Sequence, residues 1–193
     1  LNKTKSFCFE IKLTSLVNLL NDQKVVKMSK REGNYVTLRN VIKEVGVDVV
    51  RFMMISRVGD KKIDFDFNLV KSKTKDNPVF YVQYAYARIN SILRTLNLNL
   101  LKNIEFEKAN YQFNEWEKKI LRKVFEWPKI IESTSKKYDL HKIPYYLYEL
   151  ATLFHAYWSK GNEDKNFKFI VNENIKRAEI LVIINLVAIV IQN

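Results

Sequence analysis

The sequence predicts a mainly α chain in two regions: a segment up to about residue 75, then an all-α run of helices over 76–193. Three observations predict it. Gly (4) and Pro (3) are scarce in a chain of 193 residues that is 47% hydrophobic, a balance that suits long helices and can bury a core. From Asn77 onward, apolar residues recur at helical spacing in five segments, 77–96, 114–125, 129–138, 142–160 and 173–192, separated by polar loops such as 97–103 and 161–166. Before residue 75 the pattern is shorter and more broken, with a basic loop at its centre.

Taken in order, the apolar stretch Phe7 to Leu20 ends in the polar turn Asn21-Asp22-Gln23-Lys24, and Val25-Val26 leads into the basic run Lys27 to Asn34. Thr37 to Glu44 reads as a helix opened by a threonine cap, Gly46 breaks it, and Asp48 starts a second helix through Val49, Val50, Phe52, Met53 and Ile55. On the helix from Asn77, residues Val82, Ala85, Ile89, Ile92, Leu93 and Leu96 define one buried stripe. The helix 142–160 repeats the pattern, with Ile143, Leu147, Leu150, Ala151 and Phe154 on one face and Tyr145, Tyr148 and His155 on the other. Ile180 to Ile191 is strongly apolar but only about a dozen residues long, short of the roughly 20 that span a bilayer, and reads as a buried helix.

Charge narrows the function classes. Thirty-three Lys and Arg against 21 Asp and Glu give +12 and a pI near 9.6, which points to a polyanionic partner, because clustered cations gain affinity for phosphates by releasing condensed counterions. The excess is concentrated early: 16 basic and 8 acidic residues in 1–75 give +8, against 17 and 13, or +4, in 76–193. A basic membrane-surface protein would carry the same excess and stands as a separate reading. The single cysteine, Cys8, excludes an internal disulfide and fits a reducing, cytoplasmic compartment. One cysteine and two histidines, His141 and His155, give no metal-ligand spacing, and neither histidine has a case as a catalytic base. The start Leu-Asn-Lys-Thr-Lys is not a signal peptide, and Leu1 is not a natural initiator, so the N-terminus is expected to be a cut.

The basic run carries chemistry. Lys27 and Lys30, three apart with Ser29 between them and Gly33 three residues on, form a short segment whose ammonium groups can converge on a triphosphate. As spacing alone, the run reads first as a solvated basic turn. Lys27-Met28-Ser29-Lys30-Arg31 with Gly33-Asn34 after it resembles the KMSKR loop of class I aminoacyl-tRNA synthetases. The residues C-terminal to this run resemble the arginyl-tRNA synthetases in particular: Val36-Thr37-Leu38, Glu44-Val45-Gly46, Asp48 to Phe52, Asp64-Phe65-Asp66, and the run from Asp76 to Arg88. Leu147 to Ala151, Phe154-His155 and Trp158 to Asn162 are similar to the same family's helical C-terminal domain, so the resemblance runs from about residue 10 to the end.

That resemblance implies the end of a class I catalytic α/β domain over 1–75 and a helical anticodon-binding domain over 76–193. It implies arginine activation by ATP, taken as its Mg2+ complex, and transfer to tRNA(Arg). Lys30 is then the catalytic cation, with Lys27 and Ser29 as further ATP-phosphate contacts. A monomer that is cytoplasmic and free of membranes is expected. The HIGH motif and the first half of the nucleotide fold are expected upstream of residue 1, and a short glycine-containing tail beyond residue 193. Tyr86 departs from the family's usual histidine in the Tyr-Ala-His-Ala-Arg run.

Asn77, Tyr81, Tyr84 and Arg88 are spaced at i, i+4, i+7 and i+11, lining a face beside the apolar stripe. Two stackable rings and a guanidinium suit unpaired bases, and the resemblance implies an anticodon contact at the same place. The competing reading makes both tyrosines core residues with satisfied hydroxyls. For His155 a structural role and an RNA-contacting role both stand, while His141 is expected at the surface. An alternative function keeps the tRNA-binding part without catalysis, as an inactive piece of a split or truncated gene.

Overall fold

The computed structural model describes residues 11, 13–22, 24–26, 35–58, 61–98, 110–172 and 174–192. The basic run that holds Lys27, Ser29 and Lys30, and also Cys8, lies outside them.

Two cores organise the chain. The first is built by β1 (Val17–Asn21), β2 (Lys24–Val25), α1 (Leu38–Val45), α2 (Val47–Ile55), β3 (Ile63–Asp66) and α3 (Phe67–Lys71). Asp22, at φ 50, turns β1 back onto β2 in an antiparallel pair that sets Leu20 against Val25. β3 joins the other edge of β1 in parallel, with Val17 opposite Ile63 and Leu19 opposite Phe65. A parallel pair needs a crossover, and α1 and α2 supply it. Thr37 caps α1 as expected, its Oγ1 accepting from the Asn40 N–H at 3.2 Å. Gly46 (φ 89) then turns directly into α2, a left-handed position that glycine takes without a Cβ penalty. Leu19, Val41, Val50, Phe65, Phe67 and Val70 form the buried centre.

The second core belongs to α4 (Pro78–Thr95), α5 (Glu115–Phe125), α6 (Trp127–Lys137), α7 (Lys142–Glu163) and α8 (Ala178–Gln192). The stripe read on α4 is inside: Val82, Ala85, Ile89, Ile92 and Leu93 are buried, and Leu96 packs at the margin. α8 is apolar nearly all round because α4, α5 and α7 cover it. Its buried Asn185 donates from Nδ2 to the Leu181 carbonyl at 2.7 Å. With 15 residues α8 is short, and among the described residues no helix is long and apolar enough to cross a membrane.

Several expected boundaries move. α6 starts at Trp127, not 129, because Pro128 sits in the first turn, where a missing N–H costs nothing. α7 runs through Gly161 to Glu163 instead of stopping at residue 160. Gly161 is there because the chain after it folds back: a Cβ would stand 2.8 Å from the Phe167 carbonyl oxygen. α8 begins at Ala178, not 173, because a small antiparallel hairpin, β4 (Ile170–Val171) with β5 (Asn174–Ile175), precedes it. The helical bundle therefore carries one short hairpin. On α7 the buried set is Pro144, Tyr146, Leu150, Ala151, Phe154, His155, Tyr157 and Gly161, so His155 belongs to the inner side and Ile143 and Leu147 to its margin.

Candidate nucleic-acid interface

α4 carries two faces. While Val82, Ala85 and Ile89 point into the bundle, Phe80, Tyr84 and Arg88 recur at spacings of four along the outer side. Side chains four apart are neighbours on a helix, and these stack: the Phe80 and Tyr84 rings lie 5.6 Å apart and nearly parallel at 9°. The Arg88 guanidinium lies over the Tyr84 ring at 4.5 Å and over Trp158 of α7 at 4.8 Å. Arg88 Nη2 also donates to the Tyr84 hydroxyl at 2.8 Å. Sandwiching between two rings favours a guanidinium, a planar and weakly hydrated cation. Tyr84 remains 42% exposed, so this platform faces solvent and is not core.

Beneath it lies His155. Its Nδ1 is 3.1 Å from Arg88 Nη1 and its Nε2 is 3.1 Å from the Tyr81 carbonyl oxygen. A guanidinium only donates and a carbonyl only accepts, which fixes the assignment: Nδ1 accepts and Nε2 carries the proton. Burial lowers the His155 pKa below its ordinary value and the Arg88 charge adds to that, against an upward pull from the Tyr81 carbonyl. The ring is therefore held neutral. Tyr81 closes the other side, its ring 4.4 Å from His155 and 5.2 Å from Tyr148. Burial, with Tyr148 beside it, raises the Tyr81 phenol pKa.

The expected set Asn77, Tyr81, Tyr84 and Arg88 thus divides. Tyr84 and Arg88 come together at the surface, and Tyr81 stands half-buried behind them. Asn77 must be corrected: it is 2% exposed, its Oδ1 accepts from the Val79 and Phe80 N–H groups, and its Nδ2 donates to the Val70 and Ser72 carbonyls. It is the cap of α4 and ties that helix to α3, leaving nothing for RNA. His141 is half-buried rather than at the surface, with Tyr145 edge-on at 5.9 Å.

Two residues at this site escape the sequence pattern. Trp158 and Ile170 complete a cleft of about 360 Å3 with Tyr84, Arg88, Ser91 and Thr95. Trp158 lies one turn beyond Phe154 on α7, a signal available only once the α4–α7 packing is known. Glu117 is a further omission, elsewhere in the domain. Fully buried, it accepts from Arg177 Nη1 at 3.1 Å and Nη2 at 3.2 Å, from the Tyr157 hydroxyl at 2.7 Å and from the Asn114 N–H at 2.8 Å. The spacing of Asn114 and Glu117 is that of a capping box, which is a local signal in the sequence. Among the described residues no three His, Cys, Asp or Glu side chains cluster as metal ligands.

Comparison with known proteins gives this platform its setting. The family model described as the DALR anticodon binding domain matches residues 82–193, which include Tyr84, Arg88, His155 and Trp158. The chain belongs to the DALR anticodon binding domain family. Ahead of the DALR domain, residues 9–66 match the model for class I tRNA synthetases (I, L, M and V). The chain is similar to the arginine–tRNA ligase of Pelagibacter ubique, at 44% identity over 192 residues that cover all of this chain and 33% of that protein. A Wolbachia pipientis arginine–tRNA ligase is 41% identical over 166 residues, covering 86% of this chain and 29% of the relative. The chain therefore spans about a third of the length of the curated relatives it matches. A solved structure from Campylobacter jejuni, assigned as an arginyl-tRNA synthetase, superposes with a TM-score of 0.75 at 27% identity, over 91% of this chain and 36% of its own. The Thermus thermophilus arginyl-tRNA synthetase shares the fold with a TM-score of 0.56 at 21% identity, over 84% and 27%. The resemblance to arginyl-tRNA synthetases holds across both cores, and the chain as a whole is mainly helical, with a small sheet in the first core.

Proposed function

We propose that this chain acts as the C-terminal part of an arginine–tRNA ligase, its DALR domain gripping tRNA(Arg) and its first 75 residues serving the catalytic domain. The observation that carries the reading is the solvent-facing Tyr84–Arg88–Trp158 platform, set within the segment that matches an anticodon binding domain. Unpaired bases stack on aromatic and guanidinium planes, and among the described residues Arg88 commits two of its five N–H donors, to Tyr84 and His155. The remaining donors are suited to a phosphate or a base edge.

In the complete ligase the arginine carboxylate attacks the α-phosphate of ATP, bound as its Mg2+ complex, and the adenylate then esterifies the terminal adenosine of the tRNA. Lys30 is proposed to stabilise charge on the departing pyrophosphate, with Lys27 and Ser29 as further phosphate contacts; a well-placed donor of this kind contributes roughly 3–4 kcal/mol. The protein is proposed to work in the cytoplasm as a monomer. Titration of the chain with tRNA(Arg) at increasing salt tests the binding half: affinity should fall steeply between about 50 and 200 mM salt. No binding at the low-salt end would contradict it.

A further inference from the structure

His155 is a titratable side chain wedged between the proposed RNA platform and the core, and the tRNA-binding role by itself gives it no task. Arg88 reaches it from α4 through Nη1, and Tyr81 holds its opposite nitrogen through a backbone carbonyl. The Tyr84 ring lies over it at 5.5 Å and 24°, and Phe154 of its own helix is tilted against it at 5.8 Å. The titratable or charged groups that face it are thus Arg88, Tyr81 and Tyr84, and among the described contacts no carboxylate is present to stabilise an imidazolium.

We propose, building on the tRNA-binding reading, that His155 is a positioning residue for Arg88: its Nδ1 lone pair holds the guanidinium between Tyr84 and Trp158, and a proton on that nitrogen releases it. Protonation converts Nδ1 from acceptor to donor, so two donors of like charge would face each other at 3.1 Å. The guanidinium would then have to leave its place between the two rings. The consequence has a sign. Added positive charge in general tightens RNA binding on acidification, whereas loss of the Arg88 seat weakens it. Burial keeps His155 neutral at pH 7.5, so the loss begins only below the ordinary histidine range.

The test is fluorescence anisotropy of labelled tRNA(Arg) with the full chain at fixed ionic strength from pH 7.5 to 5.5. Wild type should weaken severalfold, by less than about tenfold, with most of the loss at the acid end of that range. His155→Gln, whose amide oxygen can accept from Arg88 and whose NH2 can donate to the Tyr81 carbonyl without titrating, should bind within a few-fold of wild type at pH 7.5 and hold a flat profile. Arg88→Met should bind weakly at both ends and also be flat; because Arg88 is not fully buried, this variant keeps the test open if the His155 change impairs folding. His141→Gln should leave the wild-type profile in place. Tighter wild-type binding at low pH, or a wild-type slope retained in Arg88→Met, overturns the proposal while leaving the tRNA-binding reading intact. Absence of binding by every form at every pH overturns both.

Discussion

The two cores differ in where their chemistry sits. In the first, six buried residues hold a three-stranded sheet and its crossover helices, and the residues proposed to meet ATP lie in a basic run between β2 and α1. In the second, one helix does both jobs: α4 buries Val82, Ala85 and Ile89 on one side and presents Tyr84 and Arg88 on the other. A surface proposed to stack bases benefits from rigid support. The helical half invests in that rigidity, with His155 packed under the platform and Glu117 tying α5 to α7 and to the start of α8.

That contrast is most vulnerable at Glu117. Glu117→Ala removes the acceptor shared by Arg177, Tyr157 and Asn114. Arg177 is part-exposed and keeps Glu179, so the main cost is the buried Tyr157 hydroxyl left without its acceptor, up to about 3 kcal/mol. Urea unfolding followed by tryptophan emission should show it, since Trp116, Trp127 and Trp158 all pack against the helical core. A loss below about 1 kcal/mol would mean that the network does not lock the bundle. Lys30→Ala probes the other half. In a complete ligase it should slow adenylate formation by at least about a hundredfold, or roughly 2.7 kcal/mol, and leave tRNA affinity within a few-fold. Equal losses in adenylation and tRNA binding would make the basic run an RNA contact and erase the division of labour.

How much of this the sequence carries depends on range. Local signals are readable: the Thr37 cap, the α4 stripe, the buried α8 and the reversal at Asp22 all arise from residues within a few positions of one another. The pairing of β1 with β3 is not, because both strands are short and 46 residues separate Asn18 from Asp64, its partner at 2.8 Å. Tyr84 and Arg88 are legible from their spacing on one helix, but Trp158 arrives from α7 and has no local signature. Asn77 misleads for a related reason: its place on the helical wheel matches the RNA face, while the α3–α4 junction claims its side chain for capping. Gly161 looks like a helix stop and is instead where the returning backbone presses against α7. The basic run at 27–34 lies outside the described residues, so Lys30 is assigned by motif and not by geometry.

Tyr84 decides whether the outer face of α4 binds RNA or merely extends the core, being 42% exposed while touching Phe80, Arg88 and His155. Replacing Tyr84 by Ala and by Leu, and measuring tRNA(Arg) affinity beside thermal stability for both, separates the alternatives. Stacking predicts that each variant loses roughly 1–3 kcal/mol of binding, because leucine restores apolar area but no ring face, while thermal stability falls far less than the 3 kcal/mol or so of a truncated core aromatic. Wild-type binding by the leucine variant, or a large loss of stability with binding retained, would contradict an RNA-binding face on α4.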